Sequence, residues 1–113
     1  MLSAMKKISE TITEIILKNK INYKFNEGAL ITELQNYIDS TYDSHYSRNK
    51  FQSTEFITDC GHGMGFAIGN VLKYAQRYGR KGEIADARKD LQKVLHYAII
   101  ALSIHDSENN GEK

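Results

Sequence analysis

Seven basic side chains crowd one stretch of the sequence: Lys73, Arg77, Arg80, Lys81, Arg88, Lys89 and Lys93. Three acidic residues, Glu83, Asp86 and Asp90, share that stretch and leave it at +4. The whole chain of 113 residues is only +1, so everything else sums to −3 and the positive charge is local. Lys73 and Arg77 are four apart and share one face of a helix. Arg80 and Lys81 stand between Gly79 and Gly82, and such glycines let a backbone approach a ligand closely. The start of the next helix adds unpaired N–H groups and partial positive charge. Arginine offers a fork to phosphate oxygens and lysine a mobile point charge. The chemistry this combination suits is holding a phosphate-bearing ligand.

A blander account competes with it. Cations at a helix C-terminus also complement the helix dipole. Asp86, Lys89, Asp90 and Lys93 could form ordinary surface pairs worth roughly 0.3–0.5 kcal/mol each. The GxxxxGK[ST] loop of nucleoside triphosphatases is absent. No strand precedes a glycine fingerprint for dinucleotides either.

The remaining reactive side chains are scattered. His45 falls in a polar stretch, His62 in a glycine-rich turn, His96 on a helix and His105 close to the C-terminus. By position alone the expectations are a surface role for His45, a turn role for His62, a surface role for His96 and solvation for His105. No two histidines have the i,i+4 spacing of a helical metal pair, so structural zinc is not expected. Cys60 is the one cysteine. It cannot form an intramolecular disulfide and reads as a small buried hydrophobe. A lone thiol suits a reducing cytosol.

The elements that must position these groups read as helices. The chain contains no proline, so nothing interrupts long helical runs. Met5, Ile8, Ile12 and Ile15 recur at helical spacing opposite Lys6, Lys7, Glu10 and Glu14, predicting a helix over 3–18. Residues 21–25 alternate in polarity and could be a short strand or an extended linker. A second helix is expected over 29–42. Residues 43–50 read as a loop. A short helix capped by Ser53 or Thr54, carrying Phe56 and Ile57 and ended by Gly61, should follow. Gly61 to Gly65 should form a turn of unusual geometry. Helices over 65–78 and 83–103 then flank the cationic loop, and residues 106–113 should fray. The fold class is all-α, a bundle of four to five helices in one domain. From Val94 onward the last helix is apolar on most sides, which predicts a second copy as partner. No run reaches the ~18–20 apolar residues of a membrane span.

The combination Gly69-Asn70, Lys73-Tyr74, Arg77, Gly79-Arg80-Lys81-Gly82, Asp90-Leu91, Lys93 and Tyr97 resembles the SaV-like family of small phage and prophage proteins. His45-Tyr46 and Glu55 match the family's upstream His-Tyr pair and acidic residue. The family's Asn-Pro before that pair is Asp43-Ser44 here. The resemblance covers about residues 44–102, with the first 40 residues outside it.

It implies nucleotide binding and, in some members, kinase chemistry on nucleoside monophosphates with Mg2+. Lys73, Arg77, Arg80 and Lys81 would then neutralise phosphates. Asn70 would meet a base or ribose, and His45, Tyr46 and Tyr74 would line the ligand. Glu55 or Asp90 would hold the metal or orient a nucleophile. A non-enzymatic sponge for a cyclic nucleotide or an ADP-ribose derivative made by host defence is the alternative. A nucleic-acid or protein interaction role ranks third, since a wider basic stripe would suit it better. The expected location is the cytoplasm, of the host cell if the chain is phage-encoded.

Overall fold

The computed structural model describes residues 2–19, 21–43, 45–80 and 82–110, with side chains described throughout except at 16–19, 45 and 46. Lys81 and the side chains of His45 and Tyr46 therefore lie outside the described residues. The described residues form five helices and no strand: α1 (Leu2–Asn19), α2 (Glu27–Thr41), α3 (His45–Asp59), α4 (Gly63–Arg77) and α5 (Ile84–Asn109). The chain divides into two units, Met1–Ile31 and Thr32–Lys113.

In the first unit, α1 follows its apolar periodicity, and Met5, Ile8, Ile12 and Ile15 are all at least half exposed. Residues 21–25 are an irregular connection, not a strand. Asn26 takes a left-handed turn at φ 61°, which its short polar side chain tolerates. Its carbonyl accepts the Leu30 N–H, and the Glu27 carboxylate accepts the Phe25 N–H at 2.7 Å. These bonds start α2.

The second unit holds the core. Helices α4 and α5 pack antiparallel, Arg77 meeting Asp90 near the connecting loop. At the other end Ala67 clusters with Ala101 and Ile104, with Met64 and Ile100 against them. Small residues bring α3 close as well. A Cβ on Gly63 would stand 2.7 Å from the Thr58 hydroxyl and 3.0 Å from its Cα. Arg88 of α5 pairs with Glu33 of α2.

Several local expectations change. Residues 45–50 belong to α3, so the third helix is 15 residues long and not a short one. The side chains of residues 48–50 are exposed, which accounts for their polarity, and Phe51 and Thr54 supply the packing of the helix. Gly61 ends this helix at φ 90°, but Gly63 and Gly65 are helical. The unusual turn is thus a single glycine. Gly79 and Gly82, at φ 74° and 79°, bracket the next loop as expected. Helix α5 runs to Asn109, six residues past its expected end. Cys60 is exposed and not buried. His96 is buried at 8 % exposure and not on the surface.

Candidate functional site: a cationic cluster on two stacked tyrosines

Tyr74 projects from α4 and Tyr97 from α5, and both are buried. Their rings stack with centroids 5.9 Å apart and planes 14° from parallel. Four cations converge on this pair. Lys73 Nζ, Lys93 Nζ and the Arg77 guanidinium each lie 5.0 Å from the Tyr74 centroid, and Lys50 Nζ lies 5.0 Å from the Tyr97 centroid. The π faces attract each cation, which offsets part of their mutual repulsion.

Arg77 is held firmly. Its Nε and Nη2 both donate to Asp90 Oδ1, at 3.1 and 2.7 Å. Asp90 is 1 % exposed, so the guanidinium is anchored from beneath. That bond, then the nearby negative charge, raises the Arg77 pKa above its ordinary range. Lys50 is different. Burial alone would lower its pKa, yet its hydrogen bond with Tyr97 and the surrounding phenols outweigh burial and raise it. Lys50 therefore stays an ammonium at neutral pH. Among the described residues, Lys50, Lys73 and Lys93 form no ion pair with protein.

The expected site residues separate into groups. Lys73, Tyr74 and Arg77 come together, with Asp90 as the anchor of Arg77. Asn70 lies a turn before Tyr74, half-buried, its amide donating to the Phe66 carbonyl. Arg80 is exposed at the end of α4. The loop itself is less cationic than its composition suggests, because Arg77, Gly82, Asp86 and Asp90 line a cavity of about 220 Å3 beneath it. Asp86 accepts the Glu83 N–H in a capping box that starts α5. A side chain on Gly82 would press into Asp86, its Cβ 2.9 Å from Asp86 Cβ and Cγ.

Glu55 lies elsewhere. It lines a cavity of about 320 Å3 between α3 and α5, which shares no lining residue with the cavity beneath the loop. Lys50 was not among the expected site residues. Its contact crosses from α3 to α5, and a sequence signal for it would need the helical register of residues 45–50. The ammonium of Lys93 lies over Tyr74, and Tyr97 takes that of Lys50.

A row of rings continues from the pair. His96 lies 6.3 Å from Tyr97, Phe51 lies 6.0 Å from His96, and Tyr42 stacks on Phe51 at 4.4 Å. Tyr37 meets His96 edge-on at 6.2 Å. Burial, and then the charge of Lys50, lower the His96 pKa.

The segment that carries this cluster, residues 40–99, is more than half of the chain and matches the family model described as a protein of unknown function, DUF3310. The chain belongs to this family of small proteins of unknown function. It is similar to the Gene 1.7 protein of Enterobacteria phage T3, 37 % identical over 65 residues that cover 52 % of this chain and 39 % of the relative. The match thus spans about two-fifths of that relative's length. No solved structure matches the chain. Among the described residues no helix is long and apolar enough to cross a membrane, and no group of three or more His, Cys, Asp or Glu could hold a metal.

Proposed function

We propose that the cluster over Tyr74 and Tyr97 binds the phosphates of a nucleotide. One observation carries the reading: three lysines converge on two rings without an acidic partner, beside an arginine already fixed by Asp90. Gathering unpaired ammonium groups is unfavourable unless an anion is to share them. Phosphate oxygens supply that anion, and the partly covered setting strengthens each charge-assisted bond. The resemblance through Lys73-Tyr74, Arg77, Asp90 and Lys93 supports a nucleotide as its carrier.

Phosphoryl transfer needs positioning and charge neutralisation more than a covalent nucleophile. Lys50, Lys73 and Lys93 would neutralise, and Arg77 would orient. The residues do not fit a protein-held Mg2+: Asp90 is taken by Arg77, Asp86 by the capping box, and Glu55 lines a different cavity. Any magnesium would travel with the nucleotide.

The test is calorimetric titration with nucleoside mono-, di- and triphosphates and cyclic dinucleotides, each with and without Mg2+, beside an assay for phosphoryl transfer. Saturable binding lost on combining Lys73→Ala with Lys93→Ala is expected. Turnover assigns a kinase; tight binding without turnover assigns a sponge. Undiminished binding in the double variant would sink the site.

Self-association is a second proposal, on a separate observation. Ile68 and Leu72 on α4, and Leu91, Leu95, Ile99 and Leu102 on α5, are 43–63 % exposed. On α5 the steps Leu91, Leu95, Ala98 and Leu102 follow the four–three spacing of a helix-pairing seam. Light scattering should find an oligomer that Leu95→Glu dissociates; a monomeric parent chain would refute this.

A further inference from the structure

We propose that the cleft between α3 and α5 is a second ligand site, for a small organic cation with a flat apolar body ending in an ammonium, amidinium or guanidinium group. Its volume, about 320 Å3, falls at the lower end of ligand-sized pockets, roughly 300–1,000 Å3. Ile100 and Ile104 give it an apolar floor, Ile104 being 5 % exposed. Tyr42 forms a wall. One face of its ring is stacked on Phe51, and the residue is still 58 % exposed, so a flat body can lie against it.

The polar groups of the α3 wall fix the charge of the ligand. Thr54, Glu55, Thr58 and Asp59 line the cleft together. The Thr54 hydroxyl donates to the Lys50 carbonyl at 2.9 Å, and the Thr58 hydroxyl donates to the Thr54 carbonyl at 2.8 Å. Each hydroxyl has one proton, so both turn only lone pairs outward. The two carboxylates are acceptors as well, and among the described residues neither makes an ion pair. Among the described residues no lysine, arginine or histidine lines the cleft. This wall therefore accepts hydrogen bonds and offers none; the hydroxyls of Tyr42, Ser103 and Ser107 are the donors elsewhere in the lining, and a charged donor must come from the ligand. An anion is repelled here, which makes the cleft the electrostatic opposite of the lysine cluster. The inference is independent of the nucleotide reading.

Benzamidinium is the probe, with neutral benzamide and anionic benzoate as shape-matched controls, each titrated into the 15N-labelled full chain. Benzamidinium should shift the amides of residues 54–59 and 100–107 with millimolar or tighter affinity. Benzamide should bind about tenfold more weakly, the loss of one charge-assisted contact, and benzoate not measurably. Glu55→Gln combined with Asp59→Asn should weaken benzamidinium by at least the same factor. Ser103→Trp, at an exposed lining position, should block the cleft without touching either carboxylate. Benzamide binding as well as benzamidinium, shifts confined to other residues, or no binding at all would each overturn the proposal.

Discussion

The Tyr97 side chain supports Lys50 in two ways, its ring lying 5.0 Å from the ammonium and its hydroxyl helping to keep that ammonium charged. Tyr97→Phe separates the two. It keeps the stack on Tyr74 and removes the hydroxyl. If Lys50 is held for an anion, inorganic phosphate should bind several-fold more weakly to Tyr97→Phe, while the melting temperature falls only slightly. Phosphate affinity equal to that of the parent chain would mean that Lys50 takes no part.

Asp90 serves the fold as well as the site. Replacing it by alanine leaves Arg77 without its anchor at the junction of α4 and α5. Thermal unfolding of Asp90→Ala should occur several degrees lower, since each kcal/mol lost lowers Tm by roughly 4–8 °C in a domain of this size. Arg77→Lys should not restore what Arg77→Ala loses, because one ammonium cannot reproduce two guanidinium bonds to Oδ1.

His96 makes stability depend on pH with a definite sign. Its pKa in the folded state lies below the ordinary histidine value of 6.5. The unfolded chain therefore takes up the proton first as pH falls, and the folded state loses stability below about pH 6.5 until His96 itself protonates. Melts at pH 7.5 and 5 should show the drop, and His96→Phe, which keeps a ring in place, should flatten it. A parent chain with no loss of stability across that interval would contradict the assignment.

The glycines of α4 should behave in opposite ways. At Gly65 and Gly69 an added Cβ meets nothing within 4 Å, so alanine should stabilise by roughly 0.5–1 kcal/mol through the helix backbone. At Gly63 the same change pushes into Thr58 and should lower Tm. Calorimetric melts of the three variants decide the matter.

Helices α2, α4 and α5 were legible from apolar spacing and from Gly79, although Ile68, Leu91, Leu95 and Leu102, which carry much of that spacing, stand exposed. The start of α3 was not. Its first turns carry no apolar periodicity, and they are helical because Phe51, Thr54 and Thr58 further along find partners on α4 and α5. Lys50 was hidden with them. His96 was misread because only α2 and α3, which bring Tyr37 and Phe51 to it, make its position interior. Lys73, Arg77 and Lys93 were visible as charge, but their common focus on one tyrosine ring depends on the antiparallel pairing of α4 with α5. Composition placed the centre of charge at the Gly79–Gly82 loop; the folded chain places the unpaired ammonium groups further along the helices, away from it.

The row of rings from Tyr42 through Phe51, His96 and Tyr97 to Tyr74 also gives the molecule its own optical probe. There is no tryptophan in the chain, so ultraviolet emission comes from tyrosine alone. Tyr42 stands at the cleft and Tyr74 at the lysine cluster, so single Tyr→Phe replacements assign a change in brightness to one end of the row or the other. Each ligand can then be followed without attaching a dye.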